Sequence, residues 1–364
     1  MCDMMPIISI NDTVGFLDKI KDNINNNKKI QFSCVLSSIE TTKYVPISGV
    51  HKDVIEYTPA ADMELVMMGK SLSMPNPPID ATGCPTPATI TRANVVLNNI
   101  PVLTIDAGSA IKPKIPHMSV DSTPTGDIYK GKAMPNSKEL FKIGELLGKN
   151  IISDTLIIGE CVPGGTTTAL GVLMGLGYDA KNKISSGSVD NPIGLKLKVV
   201  ETGLKKAKSN NVFEVLNAVG DKMMPVVAGM VFSSINQNKP VILAGGTQMA
   251  SVLSVIQKID EKYKKENILN SGLVALGTTE FVLNDKNADL KSLVEQINQN
   301  VPLFASKFNY ENSKLDGLKS YCSGSVKEGV GAGGISLYSY VSGLTPEDIK
   351  LYVEEHYSNW FNNI

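Results

Sequence analysis

Five short apolar runs, each rich in β-branched residues, set the strongest limit on what this chain folds into. They are IQFSCVL at 30–36, IPVLTID at 100–106, TLIIGE at 155–160, PVILAGG at 240–246 and LVALGTT at 273–279. Runs of this length without polar alternation read as strands buried on both faces. Most are followed by helical periodicity. Ser137 is placed to cap a helix through Leu140, Ile143, Leu146 and Leu147 that stops near Gly148. Further helices are expected from Thr167, over 194–207, over 225–236 and over 248–264, the last with Val252, Val255, Ile256 and Ile259 on one face. Strands alternating with helices predict an α/β fold, a parallel sheet flanked by helices and Rossmann-like in its winding. Ligands of such sheets bind outside the carboxyl ends of the strands. The glycine turns at 159–165 and 244–246 both fall at a carboxyl end, which predicts one shared cleft.

The two ends of the chain break the alternation. Residues 11–25 carry Phe16, Leu17, Ile20 and Ile24 on one helical face, and a second helix starts at Pro346 with Ile349, Tyr352 and Val353. The expected division is an α/β domain over 30–340 and a helical subdomain from 1–29 and 341–364. The same end helices also suit an oligomer interface. Stretch 74–87, MPNPPIDATGCPTP, is too rich in Pro and Gly for regular structure and reads as a long functional loop.

Composition narrows the function. Hydrophobic content of 42% and charged content of 20% are those of a globular protein with an ample core. Net charge is −1 and Arg92 is the sole arginine. Nucleic-acid readout and bidentate phosphate clamps draw on arginine, so nucleic acid is not the expected partner. A phosphate site here must use backbone amides, hydroxyls and lysines. The five cysteines, at 2, 34, 84, 161 and 322, are scattered without a CxxC, and the three histidines lie far apart. Neither a disulfide framework nor a metal site is expected. The start, MCDMMPIISIND, has no signal-peptide pattern, and no apolar run reaches the length of a membrane span. The expected setting is cytoplasmic.

Two stretches carry the chemistry. In IIGECVPGGTTTAL at 157–170 an apolar strand enters a glycine turn before a helix. Amides at a helix start form an anion site, and Thr166, Thr167 and Thr168 add hydroxyls. Gly165 stands where a P-loop has its lysine, so a monophosphate suits the turn better than a triphosphate. The plainer reading is a tight strand-to-helix turn that needs glycine for backbone reasons. In VKEGVGAGGI at 326–335 small residues enclose Glu328. A carboxylate in a dry pocket has a raised pKa and serves as a general base; the plainer reading is a solvated acid on a loop. Lys196 and Lys198 lie two apart, so at most one of them faces a cleft.

These stretches resemble the signatures of the nicotinate-nucleotide:dimethylbenzimidazole phosphoribosyltransferase family. GECVPGGTTTAL is similar to G-E-x-G-x-x-N-T-T, and VKEGVGAGG to a late L-G-E-G-T-G-A. Between them VLTIDAGSA, GDIYKGKAM, NVFEVLNAVGDKMMPVVAGM and KPVILAGGTQMASVL follow in the family's order, so that the resemblance spans roughly 80–345. IETTKYVPISG and YTPAADMEL point to a divergent, archaeal-like branch.

The resemblance implies phosphoribose transfer from nicotinate mononucleotide to a benzimidazole-type base. The products are an α-ribazole 5′-phosphate-like nucleotide and nicotinate, on the way to cobamides. Glu328 matches the base, and Glu160 an acid for the ribose or for positive charge at C1′. Gly164, Gly165, Thr166, Thr167, Lys198, Gly245, Gly246, Thr247, Lys327 and Gly329 are the implied substrate-binding positions. No metal or cofactor is implied, and a homodimer is. This chain departs from the pattern in three places. Thr166 stands near the family's Asn, Ala244 at its Asp, and the base-pocket stretch Pro87–Thr91 lacks its Gln, which leaves the acceptor open to an aromatic nitrogen base other than dimethylbenzimidazole. A nucleotide-binding or regulatory protein that kept the fold without transfer stays open as the alternative.

Overall fold

The computed structural model describes residues 6–186 and 191–361. Eight strands form one sheet: β1 Ile7–Ile10, β2 Ile30–Leu36, β3 Val102–Ala107, β4 Met118–Asp121, β5 Thr155–Cys161, β6 Val241–Ala244, β7 Val274–Thr279 and β8 Leu303–Ser306. Their order is β1-β8-β7-β6-β5-β2-β3-β4. Every pairing is parallel except that of β1 with β8. This is the α/β architecture expected from the sequence. The five apolar runs became β2, β3, β5, β6 and β7, and every residue of β5, β6 and β7 is buried.

The winding fixes where a ligand can bind. From β2 the chain moves one way through β3 and β4. It then returns to the other side of β2 as β5 and moves outward through β6, β7 and β8. The switch point lies between β2 and β5, and a crevice opens there at the carboxyl ends. Register pairs Cys34 with Gly159 and Leu36 with Cys161, so Glu160 sits at that point.

Helices cover both faces. One face holds helices Ser137–Asn150, Gly165–Gly175, Ile193–Leu204, Met223–Ile235 and Thr247–Ile259, packed in one apolar cluster. The other holds Thr58–Met68, Ala88–Leu97 and Ala332–Val341, in a cluster that includes Phe32 and Phe304.

The chain ends depart from the expected helical subdomain. Residues 7–10 form edge strand β1 of the main sheet. Phe16 and Ile20 of helix Phe16–Asn25 and Ile349 and Val353 of helix Pro346–Trp360 belong to the same apolar cluster as Phe32 of the central sheet. A four-residue strand has too few positions to show a period, and its partner β8 lies nearly 300 residues away. Ser137 is the first helical residue and not the cap. Asn136 precedes the helix, and the Ser137 hydroxyl instead donates to the Phe213 carbonyl at 3.1 Å.

Candidate functional site

A cavity of about 290 Å³ opens at the switch point. Its walls come from the turn after β5, residues 246–248 after β6, Val282 after β7, the loop at 326–330, helix Thr58–Met68 and the loop before Ala88. Both glycine-rich stretches singled out in the sequence meet there.

Glu160 projects from the end of β5 and is 3% exposed. Its Oε2 accepts from the Val162 amide at 3.1 Å and from Gln248 Nε2 at 2.6 Å. Burial, with the neighbouring charges of Asp221 and Glu328, pushes its pKa up to about 8. Glu328 enters from the far end of the chain. Its Oε2 accepts from the Thr279 amide at 2.9 Å and the Thr278 hydroxyl at 3.2 Å. Its Oε1 accepts from the amides of Gly329 at 3.1 Å and Gly333 at 3.2 Å. Burial outweighs these four donors and pushes the acid up to about 7. The carboxylate is thus fixed in orientation and titrates near neutrality, as a general base requires.

The Glu328 loop is held under strain. Val326 and Val330 have φ of 42° and 53°. β-branched residues rarely enter the left-handed region, and each such position costs about 1–3 kcal/mol. What fastens the loop is the Val330 amide, which donates to the Glu160 carbonyl at 2.9 Å, and the Thr279 hydroxyl, which donates to the Lys327 carbonyl. Gly333 lies so close to β7 that an added Cβ would stand 2.0 Å from the carbonyl carbon of Thr278. The small residues after Glu328 therefore bring it onto the end of β7. Ala244, where the family has an acid, is fully buried at the end of β6, and a Cβ at Gly334 would meet its own at 2.4 Å.

The turn at 162–168 fits the plainer of the two readings made of it, a tight strand-to-helix turn. Gly164, at φ 84°, precedes helix Gly165–Gly175. The Gly165 amide donates to the Val162 carbonyl at 2.8 Å and the Thr167 amide to the Gly164 carbonyl at 2.9 Å. Those amides close the turn and are not offered to a ligand. The charge comes instead from Lys196, which is fully buried. Its Nζ lies 3.0 Å from Thr166 Oγ1 and 3.4 Å from Ser186 Oγ. It has no ion-pair partner among the described residues. Desolvation, aided by the charge of Lys327, lowers its pKa to about 8. Lys327 is neutralised by Asp285 at 3.1 Å and also donates to the Ser186 carbonyl at 3.0 Å.

Of the positions expected from the sequence, Glu160, Glu328, Gly164, Gly165, Thr166, Gly246, Thr247, Lys327 and Gly329 line the cavity. Three do not. Lys198 is exposed on the outer side of its helix, and Lys196, two residues earlier, takes the inward position. Thr167 turns away to the Ile47 carbonyl at 3.4 Å. Gly245 lies behind the lining, where a Cβ would stand 3.8 Å from Glu160 Oε1. Sequence reasoning missed Gln248, Asp221 and Asp62. Asp221 is fully buried and accepts from the Thr168 hydroxyl at 2.5 Å, with its pKa pushed by burial up to about 6. Asp62 lines the cavity, and burial pushes it up to about 7.

These four acids predict a pH dependence. Each is raised in the folded protein above the ordinary carboxylate value of about 4. Between about pH 4 and 8 the folded state therefore holds protons that the unfolded chain has released. Stability is full below that window and falls as pH rises through it. Acids with lowered pKa, such as Asp121 and Asp127, act below it. The melting temperature should fall from pH 5 to 8, and Glu160→Gln should flatten the upper part of the curve. A melting temperature that rises over this range would contradict these burial effects.

Among the described residues no helix is long and apolar enough to cross a membrane, and no group of His, Cys, Asp and Glu is placed to hold a metal.

Residues 93–269 match the sequence family described as Phosphoribosyltransferase. A UPF0284 protein of Methanocaldococcus jannaschii is 62% identical over 98% of this chain and 99% of its own. One from Sulfolobus acidocaldarius is 37% identical over 95% and 99%. The crystal structure of nicotinate-nucleotide-dimethylbenzimidazole phosphoribosyltransferase from Thermus thermophilus superposes with a TM-score of 0.61 at 13% identity, covering 93% of this chain and 90% of that one. The chain belongs to the UPF0284 proteins, has the fold of the Thermus enzyme, and carries the phosphoribosyltransferase sequence match over residues 93–269.

Proposed function

We propose that this protein transfers the phosphoribosyl group of nicotinate mononucleotide to an aromatic nitrogen base, releasing nicotinate. The observation that carries the reading is a near-neutral carboxylate at Glu328 in the lining of the cleft, together with the ammonium of Lys196 directly behind the lining residues Thr166 and Ser186, without an ion-pair partner among the described residues. The first suits a proton acceptor and the second a single phosphate. The cavity lies at the small end of the roughly 300–1,000 Å³ typical of ligand sites.

Lys196 and the Thr166 hydroxyl take the phosphate, helped by the positive end of helix Gly165–Gly175. The sugar then lies towards Glu160. Near neutrality that acid is largely protonated in the empty site, so it can donate to a ribose hydroxyl. Positive charge at C1′ would favour its ionised form instead.

The incoming base attacks C1′ through a ring nitrogen lone pair, and a new C–N bond forms. The bond from C1′ to the pyridinium nitrogen breaks, and its electron pair stays with nicotinate, whose ring becomes neutral. The leaving group therefore needs no proton. The N–H proton of the incoming base passes to Glu328. All four of its donors are in place, and the Thr278 hydroxyl, the one donor that can rotate away, is the one to yield. Attack opposite the leaving group turns a β-nucleotide into an α-nucleotide. The homodimer and the cytoplasmic setting belong to this same proposal. The test is nicotinate release from nicotinate mononucleotide, measured with and without a panel of benzimidazoles, phenols and purines; release that ignores the added base would argue against transfer.

A further inference from the structure

The mechanism leaves Asp62 without a task. It stands one turn after Thr58 on helix Thr58–Met68, is 3% exposed, and lines the same cavity as Glu328. Its Oδ2 accepts from Cys161 Sγ at 3.3 Å. Its Oδ1 has no hydrogen-bond partner among the described residues. Among the described residues no lysine, arginine or histidine is paired with it. Most of this end of the cavity is apolar, with Val54, Pro78, Ile79 and Cys84 in the lining.

This end adjoins the general base. Gly329, next to Glu328, packs on Pro87, where an added Cβ would stand 3.4 Å from the ring. Thr86, the residue before Pro87, offers its side-chain hydroxyl to the Asp62 carboxyl, beside the Cys161 thiol. Lys196 and Thr166 mark the phosphate end instead. An acceptor base with its attacking nitrogen near Glu328 therefore reaches towards Asp62 with its other edge. A buried carboxylate oxygen without a partner is costly, and a ligand donor that meets it removes the cost.

We propose that Asp62 selects the acceptor by taking a hydrogen bond from an N–H or O–H on the ring edge remote from the attacking nitrogen. The preferred substrates are then amino- or hydroxy-substituted aromatic nitrogen bases rather than alkyl-substituted ones. The inference rests on the transfer reading above and deepens it. A largely apolar slot in which one buried acceptor awaits a donor discriminates in this way: analogues that lack the donor leave the buried oxygen unpaired and are rejected strongly.

The test compares 5-hydroxybenzimidazole, adenine and 5,6-dimethylbenzimidazole as acceptors. Wild type should favour the better donor-bearing base over the dimethyl base by about 100-fold in kcat/KM. Asp62→Leu should reduce that ratio to within a few fold of unity, with the KM for nicotinate mononucleotide little changed. Equal use of all three bases by wild type would overturn the proposal without need of a variant, as would a preference that survives in Asp62→Leu. If no base supports nicotinate release, the transfer reading fails. Calorimetric titration of the same bases then decides on Asp62 alone: tighter wild-type binding of a donor-bearing base, lost in the variant, upholds it, and equal binding refutes it.

Discussion

Glu328→Gln should lower kcat by about 10²–10⁴-fold, the range of a general base removed from its reaction. The affinity for nicotinate mononucleotide should stay within a few fold, because the proposal assigns the phosphate to Lys196 and Thr166, which hydrogen-bond each other, and not to this acid. The substitution has a structural cost as well. Both oxygens of Glu328 accept backbone amides, from Thr279 on one side and from Gly329 and Gly333 on the other. A carboxamide must turn its NH₂ towards one of those amides, donor against donor. Such a mismatch costs about 1–3 kcal/mol. The variant should therefore melt earlier and still bind the nucleotide. Near-normal turnover in Glu328→Gln would remove this residue from the role of base.

Lys196→Met should act the other way on stability. The ammonium is fully buried, lacks an ion pair among the described residues, and is held by desolvation to a pKa of about 8. An apolar side chain of similar length removes that penalty, so the empty protein should melt later. Affinity should fall. A charge-assisted hydrogen bond to phosphate is worth about 1.5–3 kcal/mol, which is roughly 10- to 150-fold in KM for nicotinate mononucleotide. The same argument gives wild type a KM that climbs above about pH 8, where the lysine of the empty site loses its proton. Paired KM and melting measurements on the variant check both signs. An unchanged KM would place the phosphate elsewhere in the cleft.

The contrast between Lys196 and Lys198 shows how much of the site the sequence held. Spacing said that only one of the two could face inward. Which one depends on how helix Ile193–Leu204 rolls against helix Gly165–Gly175, and nothing in the pair itself encodes that roll. Glu160 and Glu328 were legible because glycines flank them in the turns that follow strands or precede helices. Asp62 was not. It lies in helix Thr58–Met68, which is buried over Thr58–Val66 and so lacks the one-sided apolar stripe that marks a helix. Helix Ala332–Val341 escaped for the same reason.

The fold was easier to read than the site. Strands β2, β3, β5, β6 and β7 are buried on both faces and showed as apolar runs. The four-residue strands β1, β4 and β8 lie towards the edges of the sheet and were too short to carry a signal. Residues 74–87 stayed without helix or long strand as expected, and their Pro78, Ile79 and Cys84 line the cavity.

The most direct measurement is to incubate the protein with nicotinate mononucleotide and an aromatic nitrogen base, and to determine the anomer of any nucleotide formed by proton NMR. The account predicts nicotinate release that depends on the base, stoichiometric with a new 5′-phosphorylated nucleotide whose glycosidic bond is α. Release of nicotinate without added base, a β-linked product, or no turnover with any base would contradict it.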